Sequence, residues 1–197
     1  MSKVVREAVV RVLTEEQIEN RQAEFVISSE TPDTYGTVFK IDGWELERYA
    51  LNPVVLYAHK SYSDDPDMVI GTSVVRVENG ELIATVTFEN AEDNPLAEKV
   101  FRKVQNGTLR MASIGADVHD WHWGDFDEGE NPDLLYFDRQ SLLEWSIVPI
   151  GSNPDALKRS AEYKKDFEQR FPKANGDVKN KYAVRAALVD LKIKMLK

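Results

Sequence analysis

Residues 69–89 read VIGTSVVRVENGELIATVTFE. Two β-rich runs, 69–77 and 81–89, flank Asn79-Gly80, a dipeptide that readily adopts the left-handed backbone of a two-residue hairpin turn. The segments around this hairpin agree with it. Residues 4–13 and 23–28 also read as strands, and the second ends in the turn cluster SSETPD (28–33). After Asn52-Pro53 comes VVLYA (54–58), a short apolar run with the length and β-branching of a buried strand, and it ends on His59. A loop rich in Ser, Asp and Pro follows at 60–67.

Beyond the hairpin the sequence marks out one helix. Asp93 or Asn94 can cap it, Pro95 suits its first turn and Gly107 can end it. Leu96, Ala97, Val100, Phe101 and Val104 share one face at helical spacing, which predicts packing against the sheet. The helix then delivers the chain into a strand at 108–119. A polar loop at 124–133 leads to a last strand at 141–149, and residues 155–197 read as helical with a break at 171–176. The expected fold is mainly β with packed helices (α+β), a barrel being one way to close it, with a helical C-terminal arm.

Charge divides the chain in the same place. Residues 159–197 hold 11 Lys/Arg against 5 Asp/Glu, a net +6, so the overall −9 leaves −15 on residues 1–158. Two segments are expected, a 1–158 domain and a basic 159–197 tail. An acidic body argues against nucleic-acid binding, which needs a basic face for phosphates. No apolar run reaches the ~18 residues of a membrane span, and the charged N-terminus does not read as a secretory signal. The absence of cysteine excludes disulfides, thiolate metal sites and cysteine nucleophiles, and fits a reducing cytoplasm.

The chain has three histidines, His59, His119 and His122. A Ser or Thr nucleophile needs a base that titrates near neutrality, and histidine is the first candidate. His59 stands where a strand meets a polar loop, at the rim of a sheet. Ser113 lies in LRMASIGA (109–116), where alternation puts Leu109, Met111, Ser113 and Gly115 on one face and small neighbours leave room for a substrate carbonyl. Glu144 interrupts the apolar strand LLEWSIVP (142–149) and needs a partner there, an imidazole or an arginine. Singly, each has a plain structural explanation. His119 and His122, with Asp125 or Asp127, admit a metal reading, but an i, i+3 pair on a strand faces opposite ways. An aromatic surface patch suits HDWHW (119–123) better. No glycine-rich phosphate loop or His-Glu-x-x-His helix is present, and no cofactor or metal is expected.

Taken in order, these strings resemble the tailed-phage prohead protease family, relatives of the herpesvirus capsid-maturation proteases. The resemblance spans about residues 24–158: FVIS (25–28), NPVVLYAH (52–59), Ile70-Gly71 with its hairpin, the segment from Gly107 through Leu109 to Gly115, and LEWSIVP (143–149) followed by NPDA (153–156). It implies a herpesvirus-protease-like β-barrel, a serine endopeptidase, His59 as catalytic base, Ser113 as nucleophile and Glu144 as third member. His119 is the substitute for Glu144, because the herpesvirus relatives use histidine there. Lys60 departs from the acidic residue that usually follows the histidine. The implied substrates are scaffold protein, the major capsid protein and the protease itself, cut inside the assembling prohead in a bacterial host. The tail would carry the enzyme into the shell by binding acidic scaffold. A homo-oligomer is allowed for, and no nucleic acid or membrane partner is expected. The alternative is a catalytically inactive capsid-assembly factor on the same fold, binding through Trp121 and Trp123.

Overall fold

A computed structural model of the chain describes residues 13–156. The strand expected at 4–13, but for Leu13, and the basic helical arm lie outside the described residues. Eight strands form one sheet: β1 (Gln22–Ser29), β2 (Thr37–Phe39), β3 (Trp44–Glu45), β4 (Val54–Tyr57), β5 (Val69–Glu78), β6 (Glu81–Phe88), β7 (Met111–Trp123) and β8 (Leu135–Val148). Among the described residues three α-helices accompany them, α1 (Glu15–Glu19), α2 (Glu47–Ala50) and α3 (Pro95–Gln105). The class is mainly β with a few packed helices. Among the described residues, no helix is long and apolar enough to cross a membrane.

The sheet runs β1-β6-β5-β4-β8, and β8 is its spine. β7 pairs antiparallel along one side of β8, and β4, β3 and β2 pair parallel along the other. The sheet curls into a half-barrel whose ends are β1 and β7, and among the described residues no ladder joins those two. The core includes Phe25, Val55, Ile70, Val86, Leu142, Trp145 and Ile147. Each such side chain, fully buried, contributes about 1.5–3 kcal/mol.

The β5–β6 hairpin turns as its sequence demands. Asn79 and Gly80 have φ of 54° and 74°, and Glu78 pairs with Glu81 across the turn. Helix α3 also follows its signals. The Asn94 Oδ1 accepts the Ala97 N–H at 2.8 Å, while its Nδ2 donates to the carbonyls of Asp67 and Val69 and to Glu89. That single cap ties the helix start to the base of the hairpin. Ala97, Val100, Phe101 and Val104 are buried, with the Phe101 ring 5.1 Å from that of Phe88. Gly107, at φ 75°, ends the helix and turns the chain toward β7.

Two boundaries differ from expectation. β8 begins at Leu135 rather than near 141, because Asp138, Arg139 and Gln140 hide the strand pattern. In the fold these polar groups are paired with His122, with Asp120 and Glu45, and with the Lys40 carbonyl. β7 begins at Met111, so Leu109 precedes the strand and is buried in the core rather than sharing the face of Ser113.

The NPDA segment links the two ends of the sheet. Asp155 accepts hydrogen bonds from Ser29 and Thr31 at the end of β1, and the Asn153 amide donates to the Ser29 carbonyl. Ala156 then accepts the Ala112 N–H at 2.9 Å, one residue before Ser113.

Candidate active site

β4 ends at Tyr57, and the next two residues, Ala58 and His59, both take left-handed φ, 55° and 58°. For residues with a Cβ this costs roughly 1–2 kcal/mol each, so the turn must be held from outside. β8 holds it. The Ala58 N–H donates to the Ile147 carbonyl at 3.1 Å, and the His59 N–H donates to Ser146 Oγ at 3.0 Å. The turn takes His59 off the edge of β4 and sets its side chain against β8.

β8 meets it with a carboxylate. Gly115 pairs with Glu144 but Ala116 pairs with Leu142, so one extra residue bulges from β8 between them. A bulge of this kind shifts the alternation of a strand by one. Leu142, Trp145 and Ile147 can therefore all enter the core while Glu144 and Ser146 stay on the face of His59. His59 Nδ1 lies 2.7 Å from Glu144 Oε1, and Ser146 Oγ donates to Glu144 Oε2 at 2.9 Å. The partner of Glu144 is thus a histidine rather than an arginine. The hydrogen bond to Glu144 raises the His59 pKa above its ordinary 6.5, although partial burial opposes the rise. The His59 side chain is 40% exposed and that of Glu144 15%, so the ring is reachable while the carboxylate behind it is shielded.

Ser113 stands on the other side of β8. It pairs directly with Ser146, so the two side chains share a face and their Cβ atoms are about 5 Å apart. His59, Glu144, Ser146 and Ser113 therefore lie on one face of three adjacent strands. The hydroxyl of Ser113 makes no hydrogen bond to the imidazole. Beside His59 opens a cavity of about 360 Å³ lined by His59, Lys60, Tyr62, Ser63 and Met68.

Gly115 has a different use from the one its smallness suggests. A Cβ there would lie 2.5 Å from Glu144 Oε1 and 3.2 Å from its Cδ and Cγ, so the vacancy is filled by the carboxylate and not by substrate. Gly115→Ala is expected to fold with a melting temperature within about 5 °C of wild type, because a side-chain end can move aside. The moved carboxylate no longer meets His59 Nδ1, so the rise in the His59 pKa that this contact causes is expected to be lost. An NMR titration of His59 with a melting curve checks this, and a wild-type titration midpoint would refute it.

The other histidines lie elsewhere. His119 Nε2 is 2.8 Å from Ser141 Oγ, which donates to Glu45. Six residues along β7 from Ser113, it is about 20 Å away at ~3.3 Å per residue, so the structure does not bring the substitute third member to His59. His122 sits between Asp138 at 2.6 Å and Glu130 at 2.7 Å and stacks on Tyr136, and the two carboxylates raise its pKa. Burial works against ionisation of Glu130, but hydrogen bonds from Lys40 and His122 outweigh it and lower its pKa to about 2. His119 and His122 thus have separate partners, the Asp125 side chain accepts the Asp127 N–H, and no metal-holding group of three such side chains forms among the described residues. Trp121, Trp123 and Phe126 are exposed, as an aromatic patch would be.

Sequence reasoning assigned no role to Ser146. Its signal was the spacing in Glu144-Trp145-Ser146, since residues two apart on a strand share a face.

A family model described as Caudovirus prohead serine protease matches residues 55–169, a span that contains His59, Ser113 and Glu144. No curated protein and no solved structure matches the chain.

Proposed function

The chain belongs to the Caudovirus prohead serine protease family, and from that premise we propose that it is an endopeptidase with Ser113 as nucleophile, His59 as general base and Glu144 as the group that orients the base. The observation that carries this reading is the 2.7 Å contact between His59 Nδ1 and Glu144, with Ser113 on the same face one strand away. With the Nδ1 proton committed to Glu144, the neutral ring offers its Nε2 lone pair. As Ser113 Oγ attacks the scissile carbonyl, Nε2 takes the hydroxyl proton, and Glu144 stabilises the imidazolium that results. The same proton passes to the leaving amine, which departs as the acyl-enzyme forms. Water then repeats the sequence and releases the acid. The Ser113–His59 contact is closed by bound substrate, as catalytic hydrogen bonds in free enzymes commonly are. The cavity beside His59 takes a substrate side chain.

The substrates are scaffold protein, the N-terminal part of the major capsid protein and the protease's own tail, all met inside the assembling prohead of the bacterial host. The basic 159–197 tail carries the enzyme into the shell through acidic scaffold, and self-cleavage removes it. Two facts support this part: the +6 charge of the tail against the −15 body, and the bond from Ala112, next to the nucleophile, to Ala156 just before the tail. The test is intact-mass spectrometry over time on the protein alone and mixed with scaffold and capsid proteins. Cuts in 159–197, in scaffold and near the capsid N-terminus are expected. Unchanged masses for all three proteins would reject the proposal and favour a binding role for the exposed aromatic patch.

A further inference from the structure

Ser146 has no exposed surface, and the two hydrogen bonds of its hydroxyl both go to members of the site. A serine hydroxyl has one proton to donate and two lone pairs to accept with. Here the proton goes to Glu144 Oε2 at 2.9 Å, and a lone pair takes the His59 backbone N–H at 3.0 Å. Since Glu144 Oε1 meets His59 Nδ1 at 2.7 Å, the contacts close a ring from the His59 backbone through Ser146 and Glu144 to the His59 side chain. Each bond in the ring does something different. The backbone bond helps keep His59 in its left-handed conformation, from which its side chain meets β8. The bond to Oε2 sets the plane of the carboxylate, so that Oε1 faces the ring nitrogen.

We propose that Ser146 is a positioning residue that fixes the Nδ1–H tautomer of His59 by holding the histidine backbone and the Glu144 carboxylate in one frame. Without it the carboxylate rotates and the left-handed turn loses one of its two bonds to β8. A carboxylate that accepts from Nδ1 keeps the proton there and leaves Nε2 its lone pair, so a loosened Glu144 releases the ring to the Nε2–H tautomer. That tautomer has no lone pair at Nε2 with which to take a proton from Ser113.

The inference rests on the reading of this site as that of a serine peptidase, so its primary test is independent of activity. In the full-length chain with 15N-labelled histidine, imidazole nitrogen shifts well above pH 7 show which nitrogen is protonated. With only three histidines present, His59→Gln assigns the signal. The wild type is expected to hold His59 as Nδ1–H, Ser146→Ala to shift it to mostly Nε2–H, and Ser146→Thr to restore it. The signals of His119 and His122 should stay in place, which shows that the fold is intact. Ser146→Cys, similar in shape but weak in hydrogen bonding, should behave as the alanine variant does and replaces it if that variant does not fold. On a cleaved peptide, kcat should fall about 10- to 100-fold with KM unchanged, the mark of lost orientation. An unchanged Nδ1–H tautomer in both the Ala and Cys variants, or a wild type without that tautomer, would overturn the proposal. If the tautomer shifts as expected while no Ser113-dependent cleavage is found, the peptidase reading fails and the positioning role stands.

Discussion

Ser113→Ala is expected to remove peptide-bond cleavage almost entirely, lowering kcat by at least about 10⁴-fold, the scale seen when the nucleophile of a serine peptidase is deleted. Ser146, the hydroxyl opposite, cannot replace it, because it is buried and donates its proton to Glu144. The fold should not change, because Ser113 is half-buried and no hydrogen bond of its hydroxyl supports the sheet. KM should also stay near wild type, since the missing oxygen forms its bond to substrate only during reaction. Turnover of a cleaved peptide, with a melting curve on the same sample, separates these effects. Equal turnover in wild type and Ser113→Ala would remove Ser113 from the mechanism.

The second large effect belongs to Glu144→Gln. The amide keeps the shape of the carboxylate but lacks the charge that stabilises the imidazolium, and kcat/KM should drop by about 10²- to 10⁴-fold. The pH profile carries more information than the size of the loss. His59 has a raised pKa chiefly because of its hydrogen bond to Glu144, with partial burial pulling the other way. The base must be neutral, so wild-type kcat/KM should rise with pH around a midpoint above 6.5. In Glu144→Gln the main cause of the rise is gone and burial remains, so the midpoint should fall to 6.5 or below. Stability follows the same linkage. A folded-state pKa above the unfolded value makes protonated His59 stabilising below pH 6.5, and that contribution disappears as pH rises through the folded-state pKa. The variant should lack this pH-dependent part. A midpoint that does not move would show that Glu144 is not what sets the pKa of His59.

The short-range features of the chain are legible in its sequence. The β5–β6 turn and the limits of α3 depend on what Asn79-Gly80, Asn94, Pro95 and Gly107 permit the local backbone, and all behave as their residue types require. The three-residue β2 and two-residue β3 had too little length to show a period, and their place beside β8 comes from pairing partners a hundred residues away. The first half of β8 was hidden because Asp138, Arg139 and Gln140 interrupt its apolar pattern, and only partners from β3, β7 and the Lys40 carbonyl explain why they lie in a strand.

The same division holds at the site. Sequence by itself determined which groups are available for chemistry: no thiol, three imidazoles, a serine among small residues and a carboxylate in an apolar strand that had to find a partner. It also determined that the chain would be mainly β, because hairpin turns and strand runs are decided by neighbours in sequence. Which imidazole meets the carboxylate is implied in the sequence only by the family resemblance, and physically it is decided by tertiary structure. The left-handed turn at Ala58-His59 is costly, and Ser146 and the Ile147 carbonyl hold it from β8. The bulge that turns Glu144 toward His59 lies where β8 buries Leu142, Trp145 and Ile147 together, and it shows only once β8 is paired with β7. Gly115 likewise leaves space for a carboxylate from the adjacent strand, and a vacancy of that kind exists only once the strands are paired.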